Sequence, residues 1–227
     1  MSDGGPIRAV LFDIDGTLLV TGGAGAAAWQ RAFEELYGVE ANIGEHTYAG
    51  MTDPEIAAIV FREVIGREGG AEERAEAIGC YLKHLPATVA ESEGYRVMPG
   101  IEELLSRLID EGRLLGLVTG NIEAAAHIKL SRGHLSRFFS FGGYGSDSAD
   151  RIEVTRAALG RATLVSGNAL KPGACIAVGD TPRDVEAGHG AGIRVVGVAT
   201  GAYSTRALSD AGADWTLATV EGGFPVS

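Results

Sequence analysis

Four aspartates carry the chemistry that this sequence suggests. Asp13 and Asp15 close one apolar run in Asp13-Ile14-Asp15-Gly16-Thr17, and Asp180 and Asp184 follow another in Val178-Gly179-Asp180-Thr181-Pro182-Arg183-Asp184. A strand that ends in two acids two residues apart brings both carboxylates to one edge of a sheet. A third run ends in Val118-Thr119-Gly120-Asn121, which offers a hydroxyl, a glycine and an amide. Taken singly, each ending also reads as a cap or turn, since Thr181 before Pro182 is a good helix start and Asp-Gly is a common turn. Three of them on separate strands point polar groups into one crevice. Two carboxylates ~4 Å apart repel by about 4 kcal/mol at an effective dielectric near 20, so Asp13, Asp180 and Asp184 need a counter-charge to converge. A hard divalent cation supplies it, and Mg2+ suits an oxygen-only donor set that shares its sphere with phosphate.

The elements that must position these groups are legible as short apolar runs. They are Ile7 to Phe12, Leu114 to Val118, Phe138 to Phe141, Ala174 to Val178 and Arg194 to Val198. Their apolar positions are successive, not alternating, which suits strands covered on both faces by helices. Between them lie helical patterns: Ile101, Leu104, Leu105 and Leu108 share a face after Pro99-Gly100, and Asp150 and Thr181 stand as N-caps. The expected fold class is therefore α/β, a doubly wound parallel sheet.

The stretch from Thr21 to Val97 breaks that alternation, with helical periodicity and no convincing strand. Asp53 reads as an N-cap before Pro54, a helix follows through Ile56, Ile59, Val60 and Val64, and a second from about Ala71 to Leu85 is expected to stop at Pro86. The expected organisation is a core of residues 1–20 and 98–227, with a helical cap of residues 21–97 inserted after the first strand. Such an insertion overhangs the carboxyl ends of the strands, where open α/β sheets bind ligands. Gly22, Gly23 and Gly25 are expected as its hinge. The GxGxxA-like spacing at Gly23 is set aside as a dinucleotide fingerprint, because no strand with a closing acid follows at the required distance. Gly142-Gly143-Tyr144-Gly145 reads as the loop after the third strand.

Composition narrows the partners. A net charge of −11 lacks the positive field that nucleic acid or an anionic membrane selects. The 34 glycines among 227 residues are about twice the usual share, without a collagen period, and call for tight turns and close backbone approaches. Cys80 and Cys175 read as buried free thiols outside any Cys/His cluster, and the five histidines show no zinc spacing. The first residues lack a signal-peptide layout and no run is long enough to span a membrane, so a cytoplasmic location is expected.

On the DxDGT motif at Asp13 to Thr17, Thr119 at a strand end and the motif at Gly179 to Asp184, the sequence resembles the haloacid dehalogenase superfamily phosphatases. The likeness is to the phosphoglycolate phosphatase-like type with a helical C1-type cap, and it spans essentially the whole chain. It implies a Rossmann-like core, a mobile cap, Mg2+ dependence, a small phosphorylated metabolite as substrate and an aspartyl-phosphate intermediate. It leaves the ester and the oligomeric state open. Carried onto matching positions, Asp13 is the nucleophile, being ionised at neutral pH at its ordinary pKa of about 3.9. Asp15 is the general acid and base, and its presence separates phosphatases from the dehalogenases of the superfamily, which lack it. Thr119 would hydrogen-bond a phosphoryl oxygen, helped by the Gly120 and Asn121 amides at the next helix start. Asp180 would bind Mg2+ together with Asp13 and the Asp15 carbonyl, and Asp184 would act through water or orient the shell.

One expected part is altered. The family pattern places a lysine, often in KPxP, where this chain reads Asp150-Arg151-Ile152-Glu153-Val154. Lys171 lies at the opposite end of a strand, roughly 25 Å away, and Lys83 lies within the cap. Lys129, eight residues into a helix expected to start at Asn121, sits about 12 Å along its axis. Arg151 is at the correct edge, and its guanidinium can hold phosphoryl oxygens bidentately, so Arg151 is expected to replace the lysine, with Lys129 as the alternative. In the cap loop, Thr52 and its neighbours are candidates for specificity. Competing functions are a phosphomutase, which needs cap groups that exclude water, a phosphonate hydrolase, which needs a Schiff-base lysine, and a non-catalytic phosphate-binding regulator, which would lose Asp13 or Asp15.

Overall fold

The computed structural model describes residues 6–40 and 42–225, so the outermost residues assigned above to the core lie outside it. In chain order the elements are β1 (Ala9–Phe12), β2 (Leu19–Thr21), α1 (Ala24–Tyr37), α2 (Ile43–His46), α3 (Asp53–Val60), α4 (Ala71–Glu91) and β3 (Tyr95–Val97). There follow α5 (Ile101–Asp110), β4 (Leu114–Val118), α6 (Glu123–Arg132), β5 (Gly142–Gly143), α7 (Arg151–Ser166), β6 (Cys175–Gly179), α8 (Pro182–Gly190), β7 (Arg194–Val198), α9 (Thr205–Asp210) and β8 (Trp215–Leu217).

Six strands form a parallel sheet in the order β5-β4-β1-β6-β7-β8. All four residues of β1 are buried, which is why its run has no polar alternation. Val10 and Phe12 face a core with Leu104, Leu105 and Leu108 of α5, while Ala9 and Leu11 face Val154 and Ala158 of α7 and Val185 of α8. The N-caps at Asp150 and Thr181 form as expected: Asp150 accepts from Ile152 N–H at 2.8 Å, and Thr181 shares a capping box with Asp184.

The helical stretch between β2 and β3 has its own apolar centre, built on Trp29, Phe33, Phe61, Tyr81 and Leu85. Trp29 and Tyr81 stack with ring centroids 4.3 Å apart, worth about 0.5–1.5 kcal/mol beyond their area burial.

Several expectations are corrected. Helix α4 does not stop at Pro86 but runs on to Glu91. Proline removes one backbone donor there, at ~3 kcal/mol, yet Tyr81 and Leu85 before it and Thr88 and Val89 after it are all buried, and that packing keeps the helix intact. The third strand is not Phe138 to Phe141: Ser136–Phe138 is a 3-10 turn, and the expected loop Gly142-Gly143 is the strand that pairs with β4. Phe139 and Phe141 instead bury their rings in the cores on opposite faces. Only glycine lets α7 cross this strand so closely, since a Cβ on Gly143 would lie 2.0 Å from the Val154 carbonyl oxygen. The region read as strand-free is entered by β2 and left by β3, an antiparallel ribbon too short to show periodicity. Gly22 and Gly23 turn the chain there with φ of 61° and 88°, whereas Gly25 belongs to α1. The pair α9 and β8, absent from the sequence reading, completes one edge of the sheet. Asp53 is not the N-cap of α3. Thr52 is, in a capping box with Glu55, and Asp53 occupies the first helical position.

Both cysteines are buried and free. Cys80, however, groups with His84 one turn along α4 and with Glu35 of α1, their ligating atoms lying within 4.8 Å of one another. Residue spacing could not reveal a partner on another helix. Glu35 is already bonded to Lys83 at 2.6 Å and His84 at 2.8 Å. Among the described residues no helix is long and apolar enough to cross a membrane.

Candidate active site

The carboxyl edge of the sheet gathers Asp13, Asp180 and Asp184. Asp13 N–H donates to Val178 O at 2.9 Å, which continues the β1–β6 pairing by one residue and sets its side chain against the end of β6. Carboxylate oxygens of the three aspartates lie within 4.8 Å of one another, and the residues are only 5%, 2% and 4% exposed. Thr17, the last residue of the first motif, donates to Asp180 Oδ1 at 3.3 Å. Thr181 donates to Asp184 Oδ2 from its backbone at 3.0 Å and from its hydroxyl at 2.7 Å. Gly201, which carried no signal in the sequence, closes over Asp180, since a Cβ there would fall 1.7 Å from Asp180 Oδ2.

The electrostatics follow from this crowding. Burial first, then the neighbouring Asp184 charge, pushes the Asp13 carboxyl up to about 7, against the pull of Arg151. Burial and the charges of Asp184 and Asp13 push Asp180 up to about 8. Three buried carboxyls with only oxygen donors suit a hard divalent cation, which offsets the burial and repulsion that hold protons on Asp13 and Asp180.

Arg151, the first residue of α7, is buried beside this cluster. Its guanidinium bonds Asp184 Oδ1 and lies 3.7 Å from Asp13 Oδ1, while its Nε has no partner. Burial disfavours its charge, but Asp184 and Asp13 more than compensate. The expected replacement for the motif lysine thus stands against the candidate nucleophile. Arg151→Ala is expected to lower kcat/KM at least about tenfold; near wild-type turnover in a phosphate-release assay would remove Arg151 from the site.

Lys129 reaches further than its place in the sequence suggests. Helix α6 begins at Glu123, not Asn121, and helical side chains lean toward the N-terminus, so the distance to be spanned is shorter. Its ammonium donates to Asp15 Oδ2 at 2.7 Å and to Asn121 Oδ1 at 2.6 Å. Asn121 Nδ2 donates to the same Asp15 oxygen at 2.7 Å. Arg151 and Lys129 therefore serve different carboxylates: the one faces Asp13 and Asp184, the other Asp15.

Thr119 is buried at the end of β4, where its Oγ1 accepts from Asn121 N–H at 3.2 Å and from Asn121 Nδ2 at 2.8 Å. Two accepted bonds leave the Thr119 O–H available as a donor. The Asn121 N–H expected to hold an anion is instead turned to this hydroxyl. Gly120 lies where the inserted helices meet the sheet: a Cβ would be 2.5 Å from Met51 O, and Gly120 O accepts from Asp53 N–H at 2.8 Å. Asp53 itself reaches across, its Oδ2 accepting from Ile122 N–H at 2.8 Å. Arg183 makes a second tie, donating to Gly50 O and to both carboxylate oxygens of Glu55. Sequence reading missed these ties and Thr17; the latter was at least visible inside the motif.

A cavity of about 200 Å3 opens between the sheet edge and the inserted helices, bounded by Asp15, Asn121 and Lys129 below and by Trp29, Tyr81 and Asp53 above. A larger hollow of about 500 Å3 beside Gly100 and Arg107 contains none of these groups.

The chain is similar to known proteins over nearly its full length. A family model described as haloacid dehalogenase-like hydrolase matches residues 10–198. The phosphoglycolate phosphatase of Synechococcus elongatus is 29% identical over 213 residues, which cover 94% of this chain and 93% of that one. Among solved structures, CbbY from Rhodobacter sphaeroides in complex with phosphate superposes with a TM-score of 0.75 at 25% identity, covering 94% of each chain. A variant of that protein in complex with xylulose 1,5-bisphosphate gives 0.75 at 24% identity, again over 94% of each chain.

Proposed function

The chain belongs to the haloacid dehalogenase-like hydrolase family, and from that premise we propose that it is a Mg2+-dependent phosphatase of small phosphomonoesters working through Asp13 and Asp15. The observation that carries the reading is the buried cluster of Asp13, Asp180, Asp184 and Arg151 beside an Asp15 held by Lys129 and Asn121. Asp13 Oδ attacks phosphorus as the P–O bond to the leaving group breaks, and the departing ester oxygen takes the proton of the Asp15 carboxyl, which is left as a carboxylate. Asp15 then accepts a proton from the water that cleaves the phosphoaspartate. Arg151 and the Thr119 hydroxyl hold phosphoryl oxygens, and Lys129 and Asn121 fix the Asp15 carboxylate. Asp13, Asp180 and the Asp15 carbonyl would hold Mg2+, with Asp184 orienting the shell; when bound, the cation neutralises the carboxylates and the charge that develops on the phosphoryl group. Residues 21–97 act as the cap that shields the site.

Two features weigh against the relatives in reaction type. Lys83 is exposed and paired with Glu35, away from the cavity, so no cap lysine stands ready for a Schiff base. Asp13 and Asp15 are both present, as a regulator would not require.

Metal removal tests the proposal. Phosphate release from a small-ester panel is expected to vanish with chelator and return with Mg2+. Between the ordinary carboxylate value of 3.8 and the raised values near 7 and 8, the folded apo chain holds protons that an unfolded chain has released. Its stability should therefore fall as pH rises through that window, and Mg2+ affinity should rise with it, because the cation must displace those protons. Turnover that persists in chelator, or Mg2+ affinity flat from pH 6 to 8.5 by calorimetry, would reject the metal assignment.

A further inference from the structure

We propose that the site takes monophosphate esters with a small, uncharged, hydroxylated leaving group and discriminates against esters that carry a second anionic group. This rests on the phosphatase reading above and concerns only the part of the substrate that departs with the ester oxygen.

The cavity begins at Asp15, the group that would protonate that oxygen, so it is the leaving-group side of the site. Its charged lining consists of Asp15, Asp53 and Lys129. No other cation lines it among the described residues. Lys129 is already committed to Asp15 and Asn121. A carboxylate or phosphate on the leaving group would therefore enter a pocket with two aspartates and a single, occupied ammonium. Phosphoglycolate and sugar bisphosphates both carry such a group.

The roof of the cavity asks for something else. Trp29 is 1% exposed, and its indole N–H has no hydrogen-bond partner. It lies near the Asp53 carboxyl, close enough to favour the ionised form, without closing a hydrogen bond of good distance and angle. Asp53 spends Oδ2 on Ile122 N–H but retains acceptor capacity. A hydroxyl can donate to that carboxylate. An anion has no proton to donate there and is repelled by Asp53. Burial holds Asp53 at about 6, so above pH 7.5 it is ionised and the discrimination is fully expressed. At about 200 Å3 the cavity is below the roughly 300–1,000 Å3 of drug-sized ligand sites, which limits the leaving group to a few carbons.

A matched pair tests this: 2-hydroxyethyl phosphate against 2-phosphoglycolate, which differ in a terminal CH2OH or carboxylate. With Mg2+ at pH 8, kcat/KM is expected to be at least tenfold higher for 2-hydroxyethyl phosphate. Calorimetric affinities for the Mg2+-loaded Asp13→Asn variant should show the same order, which makes the test independent of turnover. Asp53→Asn keeps an acceptor for Ile122 N–H but removes the charge, and should bring the two esters within about threefold. Equal or better use of phosphoglycolate by the wild-type enzyme overturns the proposal, and that comparison decides even where Asp53→Asn does not fold. An unchanged ratio in a folded Asp53→Asn variant overturns the assignment to Asp53. If the affinity order holds while no ester is hydrolysed, the inference about the pocket stands and the phosphatase reading fails.

Discussion

Asp13→Asn is expected to lower phosphate release on the order of 10^4-fold or more while leaving the fold intact. The amide is nearly isosteric but has no charged oxygen to offer phosphorus, and no other carboxylate is free to take over. Asp180 and Asp184 are turned into the cluster, held by Thr17, Thr181 and Arg151. The substitution also removes one of three crowded acids. Since burial and Asp184 push the Asp13 carboxyl up to about 7, the charged form is unwelcome in the apo protein. Thermal stability at pH 8 without metal should thus be unchanged or higher, even as activity disappears. A variant that loses activity together with its melting transition has merely unfolded. Phosphate release that survives in a folded Asp13→Asn variant would reject the covalent route.

Asp15→Asn should divide the reaction into its halves. General acid-base assistance contributes typically 10^2–10^4-fold, so alkyl phosphates should lose turnover to about that extent. An aryl phosphate, whose leaving group needs no proton, should still transfer its phosphoryl group to Asp13. The second half then lacks its base. The expected result is a burst approaching one equivalent of phenol per chain, followed by slow turnover, with phosphate retained on the protein. Asn retains an oxygen that can accept from Lys129 and Asn121, so the local arrangement survives. Equal losses for alkyl and aryl esters without a burst would place Asp15 outside proton transfer.

The fold was legible where burial is imposed along the chain itself. Runs such as Ala9 to Phe12 and Leu114 to Val118 are apolar at every position because helices cover both faces, and α5 shows its Ile101, Leu104, Leu105 and Leu108 stripe because one face alone is buried. It was illegible where distant packing overrides local preference. Pro86 sits inside a helix because both of its flanks are buried, and two glycines form a strand because α7 crosses too closely for any side chain. The three-residue β2 and β3 are held by each other, across a separation that no local pattern encodes.

The candidate site divides in the same way. Sequence alone determined the acids, their order and their arrival at one sheet edge, because motif spacing and strand direction are short-range properties. Tertiary structure decided which cation meets which carboxylate. Arg151 lies 33 residues from Asp184 and Lys129 lies 114 from Asp15, so their pairing depends on how α6, α7 and α8 pack on the sheet. It also decided the character of the cavity, where Trp29 and Asp53 from the inserted helices meet Lys129 from the core. The charge of a pocket is a sum over residues brought together from far apart, and only the folded chain performs that sum.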